Sequence, residues 1–170
     1  TRLTRGIASL FKKYQITLVT GSGRLTKPGS EGPLQVIATT AEGEQTLQGK
    51  RVLLATGSVA IDIPGLPQDG ERVGQARDAL EYTAVPEHLV VIGGGYIGME
   101  LGTVYASMGS KVTVIEAMES ILAGADADLV RPVAAYAKKA FQEVRLKSKV
   151  LEIKTSGKQI QVTSEFNGQK

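Results

Sequence analysis

A glycine turn between a strand and a helix is the feature that most constrains how this chain can fold. Residues 89–92 form a short apolar run, and Gly93, Gly95 and Gly98 follow it with the spacing G-x-G-x-x-G. Beyond the turn, apolar side chains recur about every 3.6 residues, which predicts a helix; they are Ile97, Leu101, Val104, Tyr105 and Met108. A strand, a tight turn and a helix in this order present backbone N–H groups to a pyrophosphate.

The three motif glycines are expected to have different roles. Gly93 permits the tight turn, Gly95 lets a phosphate approach the backbone, and Gly98 lets the helix pack closely against the strand. The chain contains 20 glycines, so the spacing alone is weak evidence. A glycine-rich turn that serves only packing is the alternative.

A second strand that ends in an acid supports the dinucleotide interpretation. Gly109 is expected to end the helix, residues 111–115 have the pattern of a strand, and Glu116 follows directly. Glu116 lies about 20 residues beyond the turn, where the dinucleotide fingerprint places a carboxylate that accepts a hydrogen bond from the ribose 2′-OH. A carboxylate repels a 2′-phosphate, and residues 117–119 supply no arginine to bind one. The sequence therefore predicts NAD rather than NADP.

Composition excludes several classes of function. Lys and Arg number 20 against 17 Asp and Glu, and no aromatic side chains alternate with the basic residues as in a nucleic-acid surface. The chain has no cysteine, which excludes disulfides and thiolate chemistry within it, and its single histidine, His88, cannot form a histidine metal cluster. No apolar run has the length of a membrane span, and no signal-peptide pattern opens the chain. We expect His88 to lie in a surface turn.

The remaining pattern predicts an α/β chain. Its first part reads as a helix and antiparallel strands, with residues 52–55 expected to be buried; these segments are a helix over 3–14 and strands over 15–19, 34–39 and 45–54. A hairpin is expected at residues 41–44, and a Pro- and Gly-rich connection follows over 61–85, with a helical turn opened by Asp78.

The second part reads as a right-handed βαβαβ unit. A helix capped by Asp126 or Asp128 presents one apolar face formed by Leu129, Val133, Tyr136, Ala137, Ala140 and Phe141. A third parallel strand follows over 144–146. A hairpin joins strands 150–153 and 159–163 through Ser156, Gly157 and Lys158. Because the first helix begins at Thr1 without a methionine or a cap, we expect the sequence to start inside a larger protein.

Three stretches resemble the flavoprotein disulfide reductases, and the dihydrolipoamide dehydrogenase branch most closely. They are Ala55-Thr56-Gly57-Ser58, which closes the antiparallel strands, residues 93–102 and residues 112–116. Further matches are residues 77–80 followed by 85–86, residues 124–129 and residues 149–150. The resemblance covers essentially the whole chain.

The resemblance implies a domain organisation and two cofactors. Residues 1–83 would be a partial FAD-binding segment with a linker. Residues 84–170 would be a Rossmann-like NAD-binding domain with a β-meander, incomplete at its C-terminus. FAD would lie beside Gly23, Thr56, Gly57 and Ser58. NAD would lie beside Gly93, Gly94, Gly95, Tyr96, Ile97, Gly98, Met99 and Glu100, with Glu116 on the adenosine ribose and the main chain of Val150 on the adenine.

Two of these positions have a simpler explanation. Glu100 lies in the first turns of the helix, where a carboxylate also gains from the helix dipole. Tyr96 replaces the aliphatic residue common in the dihydrolipoamide dehydrogenases; relatives with tyrosine use it as a lid over the nicotinamide pocket, whereas here it could simply cover the start of the helix.

The resemblance also implies an activity. In the intact flavoprotein oxidoreductase, electrons would pass from dihydrolipoamide through a disulfide and FAD to NAD. The cysteine pair, the first FAD-phosphate loop and the His–Glu pair of that family are absent from these residues. We therefore predict no catalytic residue and no metal here, and we expect this chain alone to be inactive.

The expected partners follow from the same resemblance. They are a second copy in a homodimer and the lipoyl domain of a 2-oxo acid dehydrogenase complex, without nucleic acid or membrane, in the bacterial cytoplasm or the mitochondrial matrix. Two alternatives stay open. One is an NADH-dependent FAD oxidoreductase of the same fold that lacks the redox disulfide, which a C-x-x-x-x-C pair upstream of Thr1 would argue against. The other is a non-catalytic NAD-binding module.

Overall fold

The computed structural model describes residues 2–26, 32–157, 159–166 and 169. The chain divides into two compact units, Thr1–Ser58 and Val59–Lys170. The Pro- and Gly-rich connection therefore groups with the second unit. The functional boundary between residues 83 and 84 stays a prediction.

The first unit opens with the predicted helix, α1 (Arg2–Lys13). Two residues beyond the helix, Gln15 has a left-handed backbone (φ 54). The N–H of Tyr14 donates to the C=O of Leu10 at 2.9 Å, and the N–H of Ile16 donates to the C=O of Phe11 at 2.8 Å. These bonds form a helix C-terminal motif that satisfies the last carbonyls. The strand predicted over 15–19 is wrong, because the chain turns at Gln15 and no described strand pairs with these residues.

Three antiparallel strands follow in the order β1-β2-β3. They are β1 (Ser22–Leu25), β2 (Leu34–Thr40) and β3 (Gly43–Gly49), and residues 41–42 form the predicted hairpin. The third strand ends at Gly49 instead of Leu54. The prediction that residues 52–55 are buried is wrong: Leu53 is 89% exposed, because no described strand lies beside it to cover it.

The second unit contains the predicted βαβαβ arrangement. It consists of β4 (His88–Ile92), α3 (Tyr96–Ser107), β5 (Lys111–Ile115), α4 (Ala127–Ala140) and β6 (Glu143–Arg145). The strands are parallel in the order β4-β5-β6, with Ile92 beside Ile115 and Ile115 beside Arg145. The carboxyl ends of the three strands therefore meet at one edge of the sheet, and the fold class is confirmed.

The core of this unit lies between β5 and the two helices. Val112 and Val114 are fully buried, and α3 packs on them with Met99, Gly102 and Tyr105. The face predicted for α3 is partly wrong, since Ile97, Val104 and Met108 are about half exposed. This helix has apolar residues around most of its circumference, so periodicity could not select the buried side.

The second long helix begins at one of the two predicted caps, and its predicted face is corrected. Asp126 occupies the N-cap position of α4 but forms no side-chain capping hydrogen bond, while Leu129 and Tyr136 are exposed. Ala137 and Phe141 are buried as expected. The face of α4 that packs on the core is therefore narrower than the apolar face predicted from the sequence.

The short helix of the connection, α2 (Ala76–Ala79), begins differently from the prediction. Its N-cap is Gln75, and Asp78 is the third helical residue, whose Oδ2 accepts the N–H of Gln75 at 2.8 Å. Asp78 therefore closes a capping box instead of opening the helix. The Tyr105 hydroxyl donates to the C=O of Ala79 at 2.6 Å and holds this connection against α3.

A hairpin follows the parallel sheet, as predicted. Its strands, β7 (Ser148–Ser156) and β8 (Gln159–Phe166), are longer than the sequence suggested, with a bulge between Val150 and Glu152. Lys158, which we assigned to the turn, lies outside the described residues. Arg72 Nη1 donates to the C=O of Gly157 at 2.9 Å, joining the hairpin to the connection.

Candidate dinucleotide site

The glycine turn is bonded to the end of the neighbouring strand. Gly93 has a left-handed backbone (φ 100), and its N–H donates to the C=O of Ile115 at 2.9 Å. Other residues rarely adopt this conformation. The parallel register therefore brings the turn directly beside the residue that precedes Glu116.

The N–H and the C=O of Gly94 are both hydrogen-bonded. Its N–H donates to Glu116 Oε2 at 2.6 Å, and its C=O accepts the N–H of Leu122 at 2.8 Å. A Cβ at Gly94 would lie 3.0 Å from Ile121 Cγ2. The structure thus joins the glycine turn, the acid and the loop after it. The sequence analysis did not anticipate Ile121 or Leu122, because nothing local in the sequence indicates this contact.

Gly95 and Gly98 meet different surroundings. A Cβ at Gly98 would lie 2.3 Å from the C=O oxygen of Gly93 and 3.0 Å from Val91 Cγ1, so only glycine allows the helix to approach the turn this closely. A Cβ at Gly95 would meet nothing within 4 Å. Gly98 is thus required by the protein's own packing, while Gly95 faces open space.

The start of α3 has the properties of an anion site. Gly95 is its N-cap, and no side chain caps the helix. The first N–H groups of a helix lack partners within the helix and concentrate partial positive charge. Tyr96 beside them is 71% exposed, and Glu100 is exposed as well. Met99 is only 4% exposed, its side chain belongs to the core, and its N–H donates to the C=O of Gly95 at 2.9 Å.

The Glu116 carboxylate accepts two backbone hydrogen bonds. Oε2 accepts from Gly94, and Oε1 accepts the N–H of Met118 at 2.7 Å. Each carboxylate oxygen has two acceptor positions, so each can accept a further donor such as a ribose hydroxyl. The side chain is half-buried. Glu116 therefore positions the turn, a structural role that the sequence did not reveal, and retains acceptor capacity.

Two ion pairs lie beside this acid. Lys147 Nζ is 2.8 Å from Glu119 Oε1, and Arg145 Nη2 is 2.8 Å from Glu143 Oε2. The hydrogen bond from Lys147, with its charge, holds the pKa of Glu119 below its ordinary value. Arg145 lowers the pKa of Glu143 in the same way. Both carboxylates therefore stay ionised at neutral pH.

The start of β7 runs along the same edge. The N–H of Ser148 donates to the C=O of Glu116 at 2.9 Å, and Val150 follows two residues later. The fold thus brings Val150 into the neighbourhood of the acid. Its contact with adenine stays a prediction.

The residues assigned to FAD belong to the first unit. Gly23 lies in β1 opposite Ala38. Thr56, Gly57 and Ser58 are exposed and outside regular structure, and Gly57 has a left-handed backbone (φ 74). Their contact with FAD also stays a prediction.

Other features of the described residues do not compete with this site. A cavity of about 380 Å³ lies between α4 and β6, with Val130, Phe141 and Val144 in its wall, and no residue of the glycine turn lines it. Among these residues no cluster of His, Asp and Glu could hold a metal ion, and no helix has the length and apolarity needed to span a membrane. His88 does not lie in a turn, as we expected, but is the first residue of β4, and it bonds with Thr113 on β5 with 2.9 Å between Nε2 and Oγ1.

Comparison with known proteins identifies similar chains. The family model described as pyridine nucleotide-disulphide oxidoreductase matches residues 1–170. The chain is 37% identical over 166 residues to the mitochondrial dihydrolipoyl dehydrogenase of Pisum sativum, covering 97% of this chain and 32% of that protein. It is equally similar, at 37%, to leghemoglobin reductase of Glycine max, covering 97% and 31%. The predicted resemblance is confirmed.

A solved structure agrees with these relatives. The crystal structure of LpdA from Mycobacterium tuberculosis has a TM-score of 0.82 and 25% identity, covering 96% of this chain and 36% of that chain. The present chain therefore spans about a third of the length of the proteins that it resembles.

Proposed function

The chain belongs to the pyridine nucleotide-disulphide oxidoreductase family, and on this premise we propose that it is the NAD-binding portion of a dihydrolipoamide dehydrogenase. The observation that carries the proposal is the hydrogen bond from the Gly94 N–H to Glu116 Oε2. It joins an acid at the end of one parallel strand to a glycine turn at the end of the next. Several relatives have the name dihydrolipoyl dehydrogenase, which supports the assignment to this branch of the family.

The residues at the start of α3 fit the diphosphate of NAD. The helix has no side-chain cap, and the space at Gly95 is open. A diphosphate there would accept hydrogen bonds from backbone N–H groups and gain from the helix dipole. Gly93 and Gly98 hold the turn in the shape that this requires.

Glu116 selects the ribose. Its carboxylate accepts a hydrogen bond from the 2′-OH of adenosine and repels a 2′-phosphate, so the site favours NAD over NADP. Val150 contacts the adenine through its main chain, and Tyr96 and Glu100 lie toward the nicotinamide. When bound, NAD supplies a hydride acceptor, and the residues named here fix its position.

The rest of the activity belongs to the intact protein. In this proposal the intact protein would oxidise dihydrolipoamide and would pass the electrons through a disulfide and FAD to NAD. Gly23, Thr56, Gly57 and Ser58 lie beside FAD in this proposal, where small residues let the backbone approach a flat cofactor. The proposed partners are a second copy of the protein and the lipoyl domain of a 2-oxo acid dehydrogenase complex. The proposed location is the bacterial cytoplasm or the mitochondrial matrix.

The Glu116→Ala variant tests the NAD site. We expect NAD affinity to fall about 10- to 150-fold, because a hydrogen bond to a charged group contributes about 1.5–3 kcal/mol. The ratio of NAD to NADP affinity is expected to narrow, because the charge that repels the 2′-phosphate is gone. Calorimetry with both nucleotides measures the two constants on the 170-residue chain.

The Glu116→Gln variant is the matched control. It keeps one acceptor oxygen and removes the charge, so we expect a smaller loss of NAD affinity and a larger gain for NADP than with alanine. Equal NAD affinity in the wild-type and Ala proteins would remove the ribose assignment. An absorbance scan for bound flavin distinguishes the flavoenzyme proposal from a plain NAD-binding module, and it is made on the intact protein because the first FAD-phosphate loop is absent from these residues.

A further inference from the structure

We propose that Glu119 and Lys147 form a second determinant of cofactor choice, in which Glu119 withholds the Lys147 ammonium from a ribose 2′-phosphate. The inference rests on the proposed NAD site. It assigns a role to two residues that the glycine motif and the acid at position 116 leave out. Without Glu119, the site would contain an available cation beside the 2′ position.

The backbone places Lys147 beside the ribose acid. One residue, Met118, joins the two: its N–H donates to Glu116 Oε1 at 2.7 Å, and its C=O accepts the N–H of Lys147 at 2.9 Å. The next residue, Ser148, donates its N–H to the C=O of Glu116 at 2.9 Å. Residues 147–148 therefore run alongside residues 116–118.

Lys147 has an unusual backbone conformation for a residue with a side chain. Its backbone is left-handed (φ 52), a conformation that glycine adopts without cost and that other residues adopt at some expense. Strained residues of this kind concentrate at functional sites. Lys147 forms an ion pair with Glu119 at 2.8 Å, with 53% and 83% of the two side chains exposed. A pair this exposed contributes little to stability, so stability gives little reason for a lysine here.

The charges explain the effect on selectivity. A lysine ammonium is a common ligand for phosphate. When Glu119 forms its ion pair with Lys147, the two charges nearly cancel. The Glu116 carboxylate is then the remaining charge beside the 2′ position of the ribose. Lys147 lowers the pKa of Glu119, so this carboxylate is ionised at neutral pH and available to the pair. When Glu119 is removed, the ammonium can turn toward a 2′-phosphate and offset the repulsion by Glu116.

The Glu119→Gln variant tests the inference. We expect its affinity for NADP to rise about threefold, the size expected for one exposed charge pair, and its affinity for NAD to stay within about twofold. The gain should shrink as salt is added, because exposed charges are screened. The double variant Glu119→Gln with Lys147→Gln should lose the gain. Calorimetry on the 170-residue chain measures each constant, and circular dichroism verifies that each variant is folded.

The Glu152→Gln variant is the matched control. Glu152 pairs with Lys154 at 2.9 Å, so this substitution changes the net charge equally and also releases one lysine. Lys154 lies six residues beyond Ser148, the residue after Lys147, and an extended strand of this length spans about 20 Å. We expect its NADP affinity to equal that of the wild type.

Three outcomes would overturn the proposal, and each is distinct. If Glu119→Gln binds NAD normally and its NADP affinity is unchanged, Lys147 does not reach the 2′-phosphate. The proposed NAD site is not affected by that result. An equal gain of NADP affinity in Glu152→Gln means that the change in net charge alone produces the effect. A wild-type chain that binds no NAD refutes the proposed function and this inference with it.

Discussion

Gly95 and Gly98 belong to one turn, yet an added methyl group would meet open space at the first and the Gly93 carbonyl at the second. The contrast separates a glycine required for folding from one available to a ligand. The sequence motif treats the two glycines alike. The structure therefore provides a pair of variants that tests packing and binding independently.

We expect Gly98→Ala to lower the free energy of unfolding by about 1–3 kcal/mol, because the Cβ would force the helix away from the turn. Gly95→Ala should change stability by less than about 1 kcal/mol, since alanine is only a poorer N-cap there, but it should weaken NAD binding by filling the space beside the amides. Urea unfolding and calorimetry measure the two effects. Normal NAD binding by Gly95→Ala would place the diphosphate elsewhere.

At the scale of elements, Phe141 joins three of them. It follows α4, is buried, and its ring would lie 3.1 Å from a Cβ at Gly102 of α3. The same Cβ would lie 3.4 Å from Val112 Cγ1 of β5. Gly102 therefore makes room for the ring between the helix and the sheet.

We expect Phe141→Ala to lower the free energy of unfolding of residues 59–170 by about 3–5 kcal/mol, because it removes buried contacts and leaves a cavity. Tyr136→Ala, on the exposed side of α4, is the control and should cost far less. Denaturant unfolding followed by circular dichroism compares the two variants. Equal losses would show that Phe141 does not fill the core as described.

At the scale of the whole molecule, we expect a bound nucleotide to stabilise only the second unit. The residues proposed for NAD all lie in the second unit, whereas the first unit has none of them. Several large apolar side chains of the first unit are strongly exposed, among them Leu3 and Leu53. Exposed apolar surface contributes no burial energy, so we expect weak stability for the chain by itself.

We expect NAD to protect one unit selectively. At 100 times its dissociation constant, a ligand stabilises the state that binds it by about 2.7 kcal/mol. Amides of β4, β5 and α3 should therefore exchange more slowly with NAD present, and amides of β2 and β3 should not change. Hydrogen exchange followed by mass spectrometry measures the exchange rates of both sets of amides.

Thermal unfolding without ligand tests the expected weak stability of the chain. A cooperative melt at high temperature, at low protein concentration, would contradict it.

The sequence by itself determined the local elements and their order. The apolar run at 89–92, the glycine turn and the acid after β5 predict the parallel unit, and the hairpin at residues 41–42 is equally visible. These features depend on residues close in the chain, because periodicity and turn chemistry are local properties. For this reason the fold class and the family could be read from the sequence.

Only the tertiary structure decided which segments pair and which charges meet. Residues 15–19 and 50–54 were predicted as strand and form no strand in the described structure, since a strand requires a neighbour to satisfy its backbone. The contacts of Glu116 with Gly94 and of Glu119 with Lys147 join residues distant in sequence, and only the alignment of parallel strands brings them together. Long-range contacts of this kind leave no local pattern, and the further determinant of cofactor choice depends on them.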